Sequence, residues 1–226
     1  MIDAVWETRA HEDGSAVRIL PDGCVDLVWH ADALLVAGPD RVARMASVST
    51  GASSCGVRFR PGSARAAFGV PGEALAPGAV PAGEVLGSEQ ADRLTAALSA
   101  APRAERPALL RRWASDQLGR GVGRDPVVTY VSDALAAHPA VRVAELASQV
   151  GLSERQLRRR VRTEVGYAPK LLARILRLQR TLAIADADRA LSLADAALLG
   201  GYADQAHLGH ECAALAGTTP RILLSR

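Results

Sequence analysis

The pattern of hydrophobic and polar positions divides the chain into two unlike halves. Up to residue 118 it consists largely of short apolar or alternating runs closed by Gly or Pro, which is typical of strands and turns. From residue 126 onward apolar residues recur three or four positions apart, the spacing of amphipathic helices. Three glycines and a proline within residues 119–126 indicate a linker. We therefore expect an α+β chain with an N-terminal domain (1–118) and a C-terminal domain (127–226).

The N-terminal half is expected to be a mixed, β-rich domain with two trailing helices. Val25, Leu27 and Trp29 occupy every second position after a Pro-Asp-Gly turn signal at 21–23. The segment 17–29 is therefore interpreted as a hairpin or as two strands joined by a tight turn. The other predicted elements are strands at 33–40 and 55–59, a helix start within 60–70, and amphipathic helices at 88–100 and 105–119.

The C-terminal half is expected to be all-α. Its apolar spacing is interrupted by Gly, Pro and Ser at intervals that separate seven helices. Because aromatic residues make up only 4% of the chain, the core has to be built from Leu, Val and Ala. The predicted helices lie at about 127–137, 142–150, 154–165, 169–185, 192–199, 204–215 and 220–225.

Residues 142–166 have the anatomy of a helix-turn-helix. An apolar stripe on a first helix is followed by Gly151, which permits a turn, and by Ser153, which caps a second helix. A DNA-binding motif of this kind places its second helix in the major groove. The stripe on the first helix consists of Val143, Leu146, Ala147 and Val150.

The second helix carries five arginines between residues 155 and 162, and its apolar side sorts them by direction. Leu157, Val161 and Val165 share one side at about 100° per residue. The opposite, groove-facing side is centred on Arg155, Gln156, Arg159 and Thr163, with Arg162 near its edge.

Arginines on this helix are expected to have two different roles. Arg155 and Arg159 are placed for bidentate contacts with guanine, which discriminate between bases. Arg158 and Arg160 flank the groove-facing side, where phosphate oxygens are the expected partners. A solvated helix face that contacts no nucleic acid is the alternative explanation of the same arginines.

Charge and repetition favour a nucleic-acid partner. Residues 1–118 carry a net charge of −2 (12 basic, 14 acidic), and residues 119–226 carry +5 (15 basic, 10 acidic). Residues 155–180 hold nine basic side chains and a single acid, Glu164, and such a field attracts polyanions. Residues 191–220 then repeat the pattern of a capped helix, a Gly-Gly turn and a second amphipathic helix. Two such motifs joined by one long helix form a far more specific signal than either alone.

These motifs resemble the AraC/XylS family of bacterial transcriptional regulators. The resemblance covers roughly 127–224 and is carried by VAELASQVGLSERQLRRRVRTEVGYAP, RILRLQRTLAIADA, SLADAALLGGYADQAHLGH and GTTPRIL. It implies two recognition helices, about 154–165 and 204–215, that enter successive major-groove segments and are joined by a rigid linker helix. Double-stranded DNA is then the partner, and RNA polymerase is a further candidate.

The resemblance also implies which side chains read bases. Arg155 and Arg159 fall on base-reading positions of the first motif. The corresponding face of the second motif carries Gln205, His207 and His210. The second motif departs from the family pattern, because small side chains stand where longer polar or Arg side chains are common. We therefore expect the first recognition helix to dominate affinity.

Residues 5–118 are similar to an N-terminal domain found in one subset of these regulators. Such domains commonly sense a small molecule or dimerise, and the resemblance does not identify an effector. Scarce tryptophans, and arginines beside the helix start after Pro61, would suit an anionic or aromatic effector. The candidate effector-binding residues are Trp6, Cys24, Asp26, Trp29, Arg58 and Arg60.

Three alternatives for the N-terminal half stay open. The tryptophans are core residues and the arginines form surface pairs with Asp22, Asp26 or Glu73. The domain is a chemically reactive sensor or an enzyme-like module that uses Cys24 or Cys55. The domain serves only dimerisation or the docking of a partner.

Few residues of the sequence support other classes of function. Cys24, Cys55 and Cys212 are odd in number and have no Cys-x-x-Cys spacing, which argues against a disulfide framework and a zinc site. We find no phosphate-binding glycine loop, serine elbow or paired metal-ligand helix, so neither catalysis nor a cofactor is expected. No apolar run approaches the roughly 18–20 residues of a membrane span, and the N-terminus does not resemble a signal peptide. A cytoplasmic monomer or homodimer is the expectation.

Overall fold

Seven strands in the described residues form two antiparallel sheets in the N-terminal half. The computed structural model describes residues 1–9, 16–46, 53–138 and 140–224. The strands are β1 (Ile2–Arg9), β2 (Val17–Ile19), β3 (Val25–His30), β4 (Ala33–Ala37), β5 (Arg44–Ala46), β6 (Ser53–Phe59) and β7 (Ala79–Pro81). A five-stranded sheet has the order β1-β6-β3-β4-β7, and a separate two-stranded sheet pairs β2 with β5.

Eleven α-helices lie in the described residues, four in the N-terminal half and seven in the C-terminal half. The first four are α1 (Ala64–Phe68), α2 (Ala82–Leu86), α3 (Ser88–Ala100) and α4 (Arg106–Arg120). The other seven are α5 (Pro126–Ala137), α6 (Val143–Gln149), α7 (Glu154–Val165), α8 (Pro169–Ala187), α9 (Leu193–Gly200), α10 (Gln205–Ala216) and α11 (Pro220–Leu224). Single 3-10 turns occupy Gly72–Ala74 and Arg103–Glu105. The predicted α+β fold, with a β-rich first half and a helical second half, is confirmed.

One face of the five-stranded sheet packs against α3 and α4. Val25, Leu27 and Trp29 of β3 are buried in this core, while the residues between them are half-buried. The alternation follows from strand geometry, because successive side chains point to opposite faces of a sheet. Helix α4 covers β1 and β6, and α3 covers β4.

The segment 17–29 contains two strands and a turn, but it is not a hairpin. Strand β2 pairs with β5, whereas β3 pairs with β4. The β3–β4 hairpin turns at Ala31 and Asp32, whose φ angles of 46° and 59° suit a two-residue type I′ turn. The hairpin interpretation of 17–29 was therefore wrong, and strands β1, β5 and β7 were not predicted, because strand pairing is decided by distant segments. Strand 33–40 ends at Ala37.

The seven C-terminal helices lie close to their predicted positions, within two residues at most ends. Residue 225, the last of the predicted seventh helix, lies outside the described residues. Helix α4 continues to Arg120 and α5 begins at Pro126, so the connection is shorter than the predicted linker. The helices share one hydrophobic cluster, in which Leu157, Ile175 and Leu208 are fully buried. Helix α8 runs through this cluster and contacts α7 on one side and α9 and α10 on the other.

Close packing of α9 on α8 depends on a glycine. Gly200 lies in the last turn of α9, and a Cβ atom built there would overlap the side chain of Thr181. Thr181 is fully buried and its hydroxyl donates to the carbonyl oxygen of Arg177 (2.9 Å), so it has little freedom to move aside. Adding a methyl group to a packed core usually costs stability.

We expect Gly200→Ala to lower the free energy of unfolding by about 1–3 kcal/mol, because Thr181 and the α9 backbone have to separate. Gly209→Ala is the matched control: Gly209 lies in α10, and a Cβ there would meet nothing within 4 Å. That variant should gain about 0.5–1 kcal/mol from higher helix propensity. Urea unfolding of the full chain measures both, and equal stabilities for the two variants would contradict the packing argument.

Candidate nucleic-acid interface

The first recognition helix, α7, is fixed in place by its caps and its apolar side. The Ser153 hydroxyl accepts a hydrogen bond from the Gln156 N–H (3.3 Å), and the Gln156 side chain accepts from the Ser153 N–H (2.9 Å). This reciprocal arrangement is a capping box. At the other end Gly166 adopts a left-handed conformation with φ 96°. The capping box occupies Gln156, which was expected to face the groove.

All five arginines on α7 are exposed, and three of them form no ion pair in the described part of the chain. Arg155, Arg159 and Arg162 are exposed, and the structure shows no ion pair for them among its described residues. They lie four and three positions apart, so they share one side of the helix, opposite the buried stripe of Leu157 and Val161. The arrangement matches the side that was expected to meet DNA.

The other two arginines pair with carboxylates on the flanks of α7. Arg158 pairs with Glu154 one turn earlier on the same helix. Arg160 pairs with Asp125, which caps the start of α5. A guanidinium in an ion pair keeps unused donors, so the predicted phosphate contacts stay predictions. Nothing close in sequence indicates the partner of Arg160, because Asp125 lies 35 positions away.

The C-terminal end of α7 contacts the N-terminal domain. The Thr163 hydroxyl donates to a carboxylate oxygen of Glu73 (2.9 Å), so this predicted groove-facing side chain already has a partner. Next to it, Arg65 donates to both carboxylate oxygens of Glu164 (2.9–3.2 Å). The ion pair of Arg65 with Glu164 therefore joins the two domains.

The second motif presents far fewer polar groups. On α10 the side chain of Asp204 accepts from the His207 N–H (2.7 Å), which caps the helix. The His207 ring packs edge-on against Tyr202, with centroids 5.2 Å apart, and its Nδ1 accepts from the Ala203 N–H (3.4 Å). His207 is thus held by contacts within its own motif, whereas Gln205 and His210 are exposed.

A groove of about 640 Å³ lies between the two motifs. Lys170 and Arg174 of α8 line it, together with Arg142 before α6. Arg174 pairs with Glu211 of α10 (3.0 Å), which links the second recognition helix to α8. The groove reaches Arg158 on the flank of α7 and His207 of α10, and the sequence had indicated only that the span 155–180 is basic.

The candidate effector residues do not come together in one pocket. Trp29 is buried among the helices of the N-terminal domain, and the Arg106 guanidinium lies 5.6 Å from its ring centroid. Asp26 lies on the opposite face of the same strand and pairs with Arg58 (3.0 Å). Trp6 packs over Gly56 on a neighbouring strand of that second face.

The arginines of this group are used in ion pairs. Arg58 bridges Asp22 (2.9 Å) and Asp26, as one of the alternatives anticipated. Arg60 pairs with Asp3 (3.3 Å). An effector site made of these residues stays a prediction that would require these pairs to open.

Cys55 and Cys212 are buried and Cys24 is half-buried, and burial raises the pKa of all three thiols. At Cys24 the nearby Asp22 carboxylate raises it further, and at Cys55 the Glu7 carboxylate does so. Burial raises the pKa of Cys212 to about 11. Because the thiolate is the reactive form, these positions are unfavourable for a chemically reactive sensor.

Two further searches concern the described residues as a whole. No group of three or more His, Cys, Asp or Glu side chains in the described part of the chain is arranged to hold a metal ion. None of the helices in these residues is long and apolar enough to cross a membrane.

The fold and this interface define a class of protein: a DNA-binding transcription regulator with two helix-turn-helix motifs. Residues 146–226 match the family model described as a helix-turn-helix domain, and this part of the chain is an AraC-type domain. Residues 1–81 match the model described as a domain of unknown function (DUF6597). No curated protein matches the chain.

Solved structures of ToxT from Vibrio cholerae share the fold. One, refined at 1.65 Å, aligns with a TM-score of 0.55 and 9% identity, and the alignment covers 98% of this chain and 97% of that one. A second, bound to (E)-4-(8-methylnaphthalen-1-yl)but-3-enoic acid, has a TM-score of 0.53, 8% identity and 98% coverage of both chains. A third, with an unsaturated fatty acid bound, has a TM-score of 0.51, 9% identity and coverage of 97% and 93%. These alignments confirm the predicted fold, a β-rich first half followed by a helical second half.

Asp125 should stabilise the fold in a pH-dependent way. Its burial raises the pKa, but the ion pair with Arg160 and hydrogen bonds from the Val127 and Val128 N–H groups outweigh this and leave the pKa below its usual value of 3.8. A carboxyl whose pKa is lowered by folding contributes stability above that usual value and loses the contribution as pH falls through the folded-state pKa.

We expect Asp125→Ala to reduce the free energy of unfolding at pH 7 by about 0.5–2 kcal/mol, the usual effect of losing an N-cap. The difference from the unmodified chain should shrink as the pH falls below 3.8. Asp133→Ala is the control, since Asp133 is exposed on the same helix and should change stability by less than about 0.5 kcal/mol. Urea unfolding across pH measures all three, and a pH-independent difference would rule out this role of the carboxylate.

The three thiols, whose pKa values are raised, should resist alkylation in the folded protein. Iodoacetamide at mildly alkaline pH is expected to add no mass to the folded chain, and three adducts should form after unfolding in guanidinium chloride. Intact-mass spectrometry reads both samples. Rapid single modification of the folded chain at Cys24 or Cys55 would instead restore the reactive-sensor alternative.

Proposed function

We propose that α7 reads base edges in the major groove of duplex DNA through Arg155 and Arg159, with Arg162 at the edge of the contact. The observation that carries this proposal is that these three cations share one exposed side without an ion pair in the described part of the chain. Recognition helices commonly contact bases through their N-terminal residues, and Arg155 and Arg159 lie in the first two turns. Arginine binds guanine through two hydrogen bonds, which favours these two as the specific contacts.

The second recognition helix, α10, is proposed to enter the next major-groove segment and to contribute less. Gln205 and His210 are its exposed polar candidates, whereas Ala206, Gly209 and Ala213 offer little to a base edge. His207 is the weaker candidate because its ring packs against Tyr202. The basic groove between the motifs would then lie along the phosphate backbone, supplying affinity without sequence preference.

The N-terminal domain is proposed to modulate DNA binding. Its contacts with α7, through Glu73 and Arg65, support this proposal because they link the domain to the recognition helix itself. The ligand-bound ToxT structures support an effector in general, and both of the ligands named for them are carboxylic acids with apolar parts. Dimerisation through this domain stays the alternative.

We further propose regulation rather than catalysis as the activity, with the cytoplasm as its place. The helix-turn-helix match supports the first point, and access to chromosomal DNA requires the second. RNA polymerase is a candidate partner if the protein activates transcription. A second copy of the chain is a candidate if it binds as a dimer.

The proposal is tested by fluorescence anisotropy with the full chain, comparing DNA from upstream of its own gene with random duplex at several salt concentrations. We expect Arg159→Ala to lower the preference for the specific DNA by about 1–3 kcal/mol, the value of one bidentate base contact. Arg158→Ala is the matched control, one position away on the flank. It should weaken specific and random duplex alike and flatten the salt dependence.

Two outcomes would reject the assignment. Equal affinity of the unmodified chain for the upstream DNA and for random duplex would show that the protein does not bind the upstream DNA sequence-specifically. Equal loss of preference from Arg158→Ala and Arg159→Ala would show that the groove-facing side is assigned incorrectly.

A further inference from the structure

One loop of the N-terminal domain touches the C-terminal ends of both recognition helices. We call it the bridging loop; it comprises residues 38–43, between β4 and β5. Nη2 of Arg41 donates to the carbonyl oxygen of Gly166, which ends α7 (3.1 Å). Two residues later the Ala43 N–H donates to the carbonyl oxygen of Leu215, in the last turn of α10 (2.7 Å). Within three residues, therefore, the loop is bonded to both motifs.

The bridging loop is firmly held on its own domain. The Asp40 carboxylate is largely buried and accepts from the Gly78 N–H (2.8 Å) and from Nε of Arg44 (3.0 Å). The Gly38 N–H donates to the carbonyl oxygen of Gly78 (2.8 Å). The first half of the loop is thus tied to the segment before β7, and Arg44 at its far end is tied back to Asp40. The position of the loop therefore follows that of the sheet.

The contacts suit the chemistry of helix ends. The last four carbonyl groups of a helix have no partner within the helix, and positive charge is favourable beside them. Arg41 meets this need at α7. At α10, Nη1 of Arg18 in β2 donates to the carbonyl oxygen of Ala216 (2.7 Å), beside the bond from Ala43. Cations from the N-terminal domain therefore cap both recognition helices.

Direct packing accompanies these bonds at α7. A Cβ atom at Gly166 would lie 2.7 Å from Cγ of Pro39, and one at Gly72 would lie 2.5 Å from the carbonyl oxygen of Glu164. Only glycine permits such close approach of two backbones at these places. The end of α7 is therefore enclosed between the bridging loop and the turn at Gly72–Ala74.

The contacts leave the opposite ends of the recognition helices open. Arg155 and Arg159 stay exposed near the start of α7, and Gln205 stays exposed at the start of α10. A docked N-terminal domain therefore positions the helices without covering the side chains proposed to read bases. Helix α8 joins the two motifs through the shared core. The bridging loop and Arg18 add a second connection at the far ends of α7 and α10, which further restricts movement of one recognition helix relative to the other.

We propose that the bridging loop sets the separation and relative orientation of the two recognition helices, and thereby the spacing between half-sites that the protein accepts. Arg41 and Arg18 are positioning residues in this proposal, since they act through the helices rather than on DNA. The inference rests on the proposed function, because spacing has meaning only if both helices bind DNA. Two major-groove segments on one face of the duplex lie about 34–36 Å apart, so a small rotation of one motif misplaces its contacts.

The test is selection from a pool of random duplex DNA, followed by sequencing, with the full chain and with Arg41→Ala and Arg18→Ala separately. The unmodified chain should enrich two half-sites at one spacing, about 10 base pairs between centres. Each variant should enrich the same half-sites over a broader range of spacings. Each substitution removes the bond between the N-terminal domain and the end of one recognition helix. Affinity for the preferred duplex should fall about three- to tenfold, as expected when a hydrogen bond of ordinary net strength is lost. For a duplex with one base pair inserted between the half-sites, the same substitutions should reduce the affinity less.

Two controls separate positioning from general damage. Arg103→Ala removes an exposed pair with Glu7 on the N-terminal domain, away from the bridging loop, and should leave the spacing unchanged. Arg41→Lys keeps a charged donor and should restore much of the narrow spacing. Thermal unfolding of each variant confirms that the chain is folded before selection.

The outcomes distinguish this inference from the proposed function. Broad spacings for Arg41→Ala and Arg18→Ala, with narrow spacings for Arg103→Ala, support it. Unchanged spacing and affinity in both Arg41→Ala and Arg18→Ala would overturn it while leaving sequence-specific DNA binding intact. Equal broadening in Arg103→Ala would also overturn it. If the unmodified chain enriches no paired half-sites, the proposed function fails and this inference fails with it.

Discussion

The direction of every side chain on α7 is fixed by one buried stripe. Leu157, Val161 and Val165 are at most 2% exposed, and each contributes roughly 1.5–3 kcal/mol by leaving water. Rotating the helix would expose this stripe, so the helix has one orientation on α8. The five arginines are sorted by that constraint into an exposed side and two flanks. The candidate interface is thus a consequence of core packing, because its charged side chains lie on the side of α7 that the core does not cover.

The flanks and the end of α7 connect the same helix to the rest of the molecule. Arg160 reaches the cap of α5, Glu164 reaches Arg65, and Thr163 reaches Glu73. These partners belong to the linker and to the N-terminal domain. A shift of that domain therefore acts on the recognition helix through short, direct contacts. The Arg65–Glu164 pair is partly exposed and contributes modestly to stability, so its importance lies in geometry.

The two motifs share a fold but differ in chemistry. Ser153 caps the recognition helix of the first motif, and Ser192 caps the first helix of the second motif. Both motifs have a glycine at the turn and a buried apolar stripe on the second helix. The first motif exposes arginines, whereas the second exposes mainly small side chains and uses His207 internally. Because the motifs differ in this way, we expect base discrimination to be concentrated at α7. The ion pair of Arg174 with Glu211 then orients α10 rather than reading DNA.

The sequence by itself determined the helical half, because helix period, caps and turns are encoded within a few residues of one another. It also predicted the exposed side of α7, since that side follows from the spacing of Leu157 and Val161. It failed where partners are distant: strand pairing, the carboxylate that meets Arg160, and the scattering of the candidate effector residues over two faces of a sheet. Only the tertiary structure decided that Arg41 caps α7, 125 positions away. Such contacts depend on how whole domains dock, and no local pattern carries that information.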